Sequence, residues 1–359
     1  MLEQHRKIMQ FKEITAKALD GNRLNPEEAW ELYQHADFHM LGYLAHQVRL
    51  RKHPEPLVTY VVDRNINYTN ICVCGCRFCA FFRAPGQPGG YLLTRDELAK
   101  KIEETLALGG TQILLQGGHH PDLPLSFYED MLRFIKARFP IHVHAFSPPE
   151  IIHFRNLENT EIGLVISRLR AAGLDSIPGG GAEILVDSVR RRVSPNKCSA
   201  KDWLRVMKEA HNQGLRTTAT MMFGHEEEPQ QRLQHLLALR ALQDRTGGFT
   251  AFIPWPFQPQ NTAIQRAPET AVAYLRLLAV ARLVLDNFAN IQASWVTMGP
   301  AVAQLALRFG ANDFGSTMSE ENVVAAAGVH FRLSREEIKR LIQDAGFEPQ
   351  QRNMAYAWI

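Results

Sequence analysis

Eight short β-like runs, separated by longer helix-patterned stretches, govern what this chain can fold into. They span residues 65–70, 111–116, 141–146, 175–177, 216–223, 249–255, 290–296 and 310–315. Most run straight into glycine or proline, as in Gly117-Gly118, Ser147-Pro148-Pro149-Glu150 and Pro178-Gly179-Gly180-Gly181. Between them lie helical patterns at 94–108, 126–138, 200–213, 229–244 and 268–287. The first carries Leu98, Ile102 and Leu106 on one face. Parallel strands need a crossover, usually a helix, so this alternation predicts an α/β fold: a TIM-type (β/α)8 barrel. Residues 58–62 read as a separate short strand. The first fifty residues read as helices, one opened by Asn25-Pro26-Glu27-Glu28, a cap followed by proline at the first helical position. No linker rich in Gly, Ser or Pro interrupts the chain. The expected layout is one structural unit: a helical extension over 1–54, then a barrel over 55–359 with a closing helix at 334–345.

Composition excludes several classes. Net charge is +3 with no basic tract, which predicts no nucleic-acid partner. No apolar run is long enough to span a membrane, and the N-terminus lacks a signal-peptide core, so a cytoplasmic location is expected. Five cysteines, four of them clustered, argue for a reducing compartment and against a disulfide framework.

The cluster is Cys72-Val73-Cys74-Gly75-Cys76-Arg77-Phe78-Cys79, just after the first strand. Cys72, Cys76 and Cys79 make C-x3-C-x2-C. Three thiolates on one loop can hold three irons of a [4Fe–4S] cluster and leave the fourth iron open. The competing reading is a zinc knuckle using Cys74, Cys76, Cys79 and a histidine, although structural zinc sites usually take two separated cysteine pairs. Cys74 reads as a bystander thiol, turned differently from its neighbours.

In a barrel, the C-terminal ends of the strands build the site. Gln116-Gly117-Gly118 allows a close backbone approach, and His119 follows it. His142 and His144 share one strand face and read equally as wall residues or as chemistry. Ser147 and Glu150 follow the third strand, and Glu183 follows the glycine-rich turn, possible as a first-turn residue of a helix. His225 precedes an acidic run, Glu226-Glu227-Glu228, read as a solvated helix start. Arg83 suits an anion or a surface carboxylate. Met221 and Met222 read as packing.

The cysteine loop resembles the signature of the radical S-adenosylmethionine superfamily. Asn67-Tyr68-Thr69-Asn70-Ile71-Cys72 and Arg77-Phe78-Cys79-Ala80-Phe81 resemble the branch that holds the menaquinone futalosine-pathway enzymes and the deazaflavin synthases. The stretches 144–150, 177–185, 220–225, 252–259 and 312–317 look most like the members that cyclise dehypoxanthine futalosine. Aminofutalosine synthase and the deazaflavin synthase component remain alternatives, as does a non-enzymatic iron–sulfur or zinc-stabilised binding protein.

The resemblance implies a [4Fe–4S] cluster on Cys72, Cys76 and Cys79, and S-adenosylmethionine held by Phe78, Gln116, Gly117, Gly118, Ser147 and Glu183. It implies a small-molecule substrate, dehypoxanthine futalosine, and a low-potential electron donor such as flavodoxin or ferredoxin. Hydrogen removal from sugar C4′ and closure onto the benzoate ring would then require a base. Glu150 is the first expectation, because Pro148-Pro149 stiffens its approach; His144, His225 and Asp313 are the others. Arg83, His119, Thr220 and Gln258 are the expected substrate contacts.

Overall fold

The computed structural model describes residues 2–359, with side chains from Phe11 onward. Three helices open the chain: α1 (Leu2–Leu19), α2 (Pro26–His35) and α3 (Phe38–Lys52). The predicted cap is present: Asn25 accepts from the Glu28 N–H at 2.8 Å and the Glu28 carboxylate accepts from the Asn25 N–H at 2.8 Å. Next come β1 (Leu57–Val61) and β2 (Asp63–Asn67). The alternation follows: α4 (Arg95–Ala107), β3 (Gln112–Gln116), α5 (Leu125–Arg138), β4 (His142–Ala145), α6 (Pro148–Glu158), α7 (Ile162–Ala172) and β5 (Ser176–Ile177). It continues with α8 (Asp187–Val193), α9 (Ala200–Asn212), β6 (Arg216–Phe223), α10 (Pro229–Thr246), β7 (Phe249–Pro256), α11 (Ala271–Val284) and β8 (Asn290–Ile291). The chain ends with α12 (Trp295–Met298), α13 (Pro300–Ala306), β9 (Asp313–Ser316), α14 (Val323–Ala326), α15 (Arg335–Asp344) and β10 (Glu348–Gln351).

Strands β2 to β8 form one seven-stranded parallel sheet in strict chain order. Helical crossovers between adjacent parallel strands produce that order. The sheet curls, because residues from every one of its strands or the loops just beyond them face a single cavity. The expected eighth strand, β9, lies in a second sheet of order β10-β1-β9. Its ladder is taken by β1. It therefore meets the main sheet through one bridge, Gln292 to Asp313, and through a hydrogen bond from Ser316 to Asp63 of β2.

Alternation along the strands separates the two faces. Asn65, Asn67, Gln112, Leu114, Gln116, His144, Thr218, Thr220, Ile253 and Trp255 face the cavity. Their neighbours Ile66, Ile113, Leu115, Val143, Ala219, Met221 and Phe252 are fully buried in the main core, beneath the helices. Burying each large apolar chain there contributes about 1.5–3 kcal/mol. Met221 is core, as read from the sequence.

Two local expectations change. Residues 290–296 are not one strand, because β8 ends at Ile291 and α12 begins at Trp295. The Pro148-Pro149 pair, expected as a stiff exit from the third strand, opens α6, with Ser147 at the N-cap. Proline is tolerated in a first turn because the missing N–H has no helical partner there. No helix among the described residues is long and apolar enough to cross a membrane.

Candidate active site

The cysteine loop leaves β2 and is tied down by backbone bonds. Cys72 N–H donates to Arg83 O at 2.9 Å, Arg83 N–H to Asn70 O at 2.8 Å, and Val73 N–H to His119 O at 3.1 Å. Arg83 also folds its guanidinium back onto its own loop, donating to Phe82 O at 2.8 Å. It does not line the cavity, so it braces the loop instead of holding substrate. Cys72, Cys76 and Cys79 all line the cavity; Cys74 and Cys198 do not. Cys74 is buried behind the loop with its sulfur 3.1 Å from His119 Nδ1.

The Gly117-Gly118 turn is pressed against that loop. A Cβ on Gly117 would lie 2.4 Å from the Tyr68 ring, and one on Gly118 would lie 2.2 Å from Ile71 O and 2.9 Å from Cys72 Cβ. Only glycine fits both positions. Glu150 fastens the turn from the other side. It accepts from Gly117 N–H at 3.0 Å, Tyr68 O–H at 2.7 Å, Ser147 N–H at 2.8 Å and Ser147 O–H at 2.6 Å. Glu150 also lines the cavity, and burial raises its carboxyl above the ordinary value. Four donors occupy its oxygens, and its role is to hold the glycine turn and cap α6.

A charged group stands beside the thiols. Lys197 Nζ lies 2.9 Å from Glu183 and 5.1 Å from the Phe78 ring centroid. Burial opposes the Glu183 charge, but Lys197 and Arg190 outweigh it and hold the carboxyl below its ordinary value. Glu183 starts no helix: its φ is +40°, a left-handed conformation that a glutamate adopts only when its surroundings impose it. Hydrogen bonding from Cys74 lowers the Cys72 thiol to about 6, and Cys76 is lowered the same way. Thiolates are the form that binds iron.

The remaining expected residues divide. Phe78, Gln116, Ser147, His119, His144 and Thr220 line the cavity of about 390 Å³. Thr220 gives its hydroxyl to Gly179 O at 2.6 Å, so toward a ligand it can only accept. His144 is kept neutral because burial drives its pKa well down.

His225, Asp313 and Gln258 do not reach the cavity. His225 is fully buried, with Nδ1 accepting from Glu226 N–H at 2.7 Å and Nε2 on Met222 O at 3.0 Å. The adjacent acidic run is not wholly solvated either, since Glu227 is buried against Arg232 at 2.8 Å. Asp313 accepts from Arg352 at 2.5 and 3.1 Å and from Thr59 at 2.6 Å. Gln258 donates to Pro256 O and Thr297 O. All three have protein partners for their side-chain polar groups.

Sequence reading missed Asn65, Gln112, Lys197, Glu321, Arg352 and Tyr356, all of which line the cavity. Gln112 carried a signal, a polar residue two before Leu114 and four before Gln116 on the same face of the largely apolar β3, whereas Asn65 lies in a strand that is mostly polar. The C-terminal pair carried none.

The donor set fits an iron–sulfur cube. Three cavity-facing thiols sit on one loop, a fourth faces away, and glycines clear the approach. Among the described residues no three or more His, Cys, Asp or Glu side chains gather closely enough for a single ion. Cluster thiolates bind different irons and stand further apart than the ligands of one ion.

Residues 66–239 match the model of the radical SAM superfamily, and residues 246–359 match that of the CofH/MqnC C-terminal region. The chain is 47% identical over 353 residues to the cyclic dehypoxanthine futalosine synthase of Halalkalibacterium halodurans, covering 98% of this chain and 95% of that one. It is 41% identical over 352 residues to the aminodeoxyfutalosine synthase of Thermus thermophilus, covering 96% and 94%. The crystal structure of methylornithine synthase (PylB) superimposes with a TM-score of 0.72 at 18% identity, covering 94% of this chain and 97% of that one, which shows the shared fold. A [4Fe–4S] cluster and S-adenosylmethionine are the cofactors of this superfamily. The chain belongs to the radical SAM superfamily and carries the C-terminal region of its CofH/MqnC branch.

Proposed function

We propose that this enzyme converts dehypoxanthine futalosine to its cyclic product in menaquinone biosynthesis. The observation that carries the reading is the near-full-length similarity to a cyclic dehypoxanthine futalosine synthase, joined to a cavity that presents three thiols and a glycine turn. Cys72, Cys76 and Cys79 would hold the cluster; Phe78, the Gly117-Gly118 turn and Glu183 would hold S-adenosylmethionine. When bound, these groups supply the 5′-deoxyadenosyl radical, which removes hydrogen from unactivated carbon.

The chain's own residues do the rest. The barrel wall excludes water and holds sugar C4′ beside the cofactor and the benzoate ring. Glu150 fixes the glycine turn, and the Lys197–Glu183 pair keeps the mouth polar. A neutral imidazole, His144, lines the cavity and would take the ring proton. A low-potential donor of the flavodoxin or ferredoxin type and a cytoplasmic location belong to the same reading.

An anaerobic assay with dehypoxanthine futalosine, S-adenosylmethionine and a reductant tests it. The expected product is lighter than the substrate by two hydrogens. A product that joins two molecules would move the chain to the synthases of the branch.

A further inference from the structure

Three side chains run in a hydrogen-bonded line from the cavity wall to the opposite end of the barrel. His144 lines the cavity together with Thr218. Its Nδ1 lies 2.7 Å from Ser176 Oγ, and the same oxygen lies 2.7 Å from His142 Nε2. Ser176 is 1% exposed, and among the described residues the two imidazoles are its side-chain hydrogen-bond partners. His142 is the first residue of β4, so it sits at the strand's N-terminal end, away from the mouth, and is only half-buried. We propose that His144, Ser176 and His142 form a proton relay that takes the ring proton out of the cavity and delivers it at the base of the barrel. The proposal rests on the cyclase reading.

The surrounding bonds give the line one direction. Gly179 N–H donates to Thr218 Oγ1 at 3.0 Å, so the Thr218 hydroxyl is free to donate onward to His144 Nε2, at a long 3.4 Å. With Thr218 as the donor, Nε2 is the bare, accepting nitrogen and the His144 proton sits on Nδ1, toward Ser176; this is the tautomer the relay uses. Ser176, accepting from His144, then donates to His142 Nε2. Every donor points from the cavity to the base.

The charges facing the line are few. Lys136 of α5 and Asp175 before β5 pair with each other at 2.8 Å beside His142. Arg352, paired with Asp313, is the other charged group that acts on His144. Burial holds both imidazoles below the ordinary histidine value, so both start neutral.

The step balances within the relay. A ring C–H bond of the cyclised substrate breaks, its electron pair stays on the ring, and the proton goes to His144 Nε2. The Nδ1 proton passes to Ser176 Oγ as the Ser176 hydroxyl proton passes to His142 Nε2. One proton has crossed and no residue has changed oxidation state. The electron that the ring also loses goes to a one-electron acceptor of the iron–sulfur class.

The test compares release of 5′-deoxyadenosine with formation of cyclised product in the holoenzyme. His144→Gln should lower cyclised product by about 10²–10⁴-fold while 5′-deoxyadenosine still forms, the usual loss for a removed acid–base group. Ser176→Ala should uncouple the two products in the same direction, and Ser176→Thr, which keeps a hydroxyl, should restore coupling. His142→Gln should uncouple less, because the proton has already left the ring. A merely structural role would lower both products together and leave their ratio unchanged, and that result in all three variants overturns the relay. If a variant fails to fold, the parent enzyme still decides. Its proton inventory in mixed H2O and D2O should curve, as transfer of more than one proton requires, and a linear single-proton inventory overturns the proposal. A parent enzyme that binds dehypoxanthine futalosine but cyclises none of it sinks the functional reading itself, a result distinct from either.

Discussion

The mouth and the floor of this barrel are built in opposite ways. At the mouth, Cys72, Cys76 and Cys79 share one eight-residue loop, and the Gly117-Gly118 turn comes from the neighbouring strand end. At the floor, Asp63, Asp313 and Arg352 meet from positions about 250 and 40 residues apart, through Ser316 and a buried guanidinium–carboxylate pair. The mouth is arranged to receive ligands, whereas the floor satisfies its own charges. A thiol or a glycine at the mouth answers to what must bind there. A carboxylate at the floor answers to its buried partner: Asp313 is engaged by Arg352 and Thr59 and lies outside the cavity lining.

The largest effect that would sharpen this contrast is at the thiols. Alanine at Cys72, Cys76 or Cys79 should each abolish stable iron binding and 5′-deoxyadenosine formation, while Cys74→Ala and Cys198→Ala should keep both. Iron content and visible absorption after anaerobic reconstitution read the result. Cluster loss in Cys74→Ala with retention in Cys72→Ala would reverse the ligand assignment.

Next is Arg352→Met at the floor. It leaves the Asp313 carboxylate buried and uncompensated, which should cost roughly 3–5 kcal/mol of stability. Denaturant unfolding measures it, and cluster content in the folded fraction should hold. An unfolding curve like the parent's would show that the floor pair is not structural.

Gly118→Ala tests the mouth's packing. The added Cβ meets backbone at Ile71, which cannot swing aside. Overpacking of this kind costs about 1–3 kcal/mol of stability, and shifting the turn off Cys72 is expected to weaken cofactor use by a further factor of roughly 10 to 100. Equal loss of stability and cofactor use would argue that the turn belongs to the core.

The smallest effect is in pH. The Glu183 carboxyl is lowered from 4.5 in the folded chain, so the unfolded chain binds its proton first as pH falls. Its contribution is present above about 4.5 and lost as pH drops from there through the folded value. Glu183→Gln should therefore flatten the fall of melting temperature in that window. Parallel curves for the two proteins would detach Glu183 from the stability of the mouth.

How much was legible varied with distance along the chain. Strand β6 and the start of α2 were read to the residue, because periodicity and capping are local signals. Helix α6 was missed, because Pro148-Pro149 looks alike before a turn and at a helix start, and only the Ser147–Glu150 cap decides between them. Glu150 lines the pocket, as its place beyond the strand implied, and it also holds the glycine turn, which was not read. Its position follows from the strand end, while its four hydrogen bonds depend on Tyr68 and Gly117, which no spacing rule connects to it.

By itself the sequence determined the α/β alternation, the three thiols that face one cavity and the family to which the chain belongs. The first two rest on periodicity and on ligand spacing, properties of neighbouring residues, and the family rests on the resemblance of motifs along the chain. Only the tertiary structure decided that β9 is taken by β1, that Arg352 closes the floor, that His225 and Asp313 lie outside the cavity and that Ser176 joins His144 to His142. Each depends on which distant groups share a buried volume, where an unpaired polar atom or charge is costly and the partner that relieves it fixes the role.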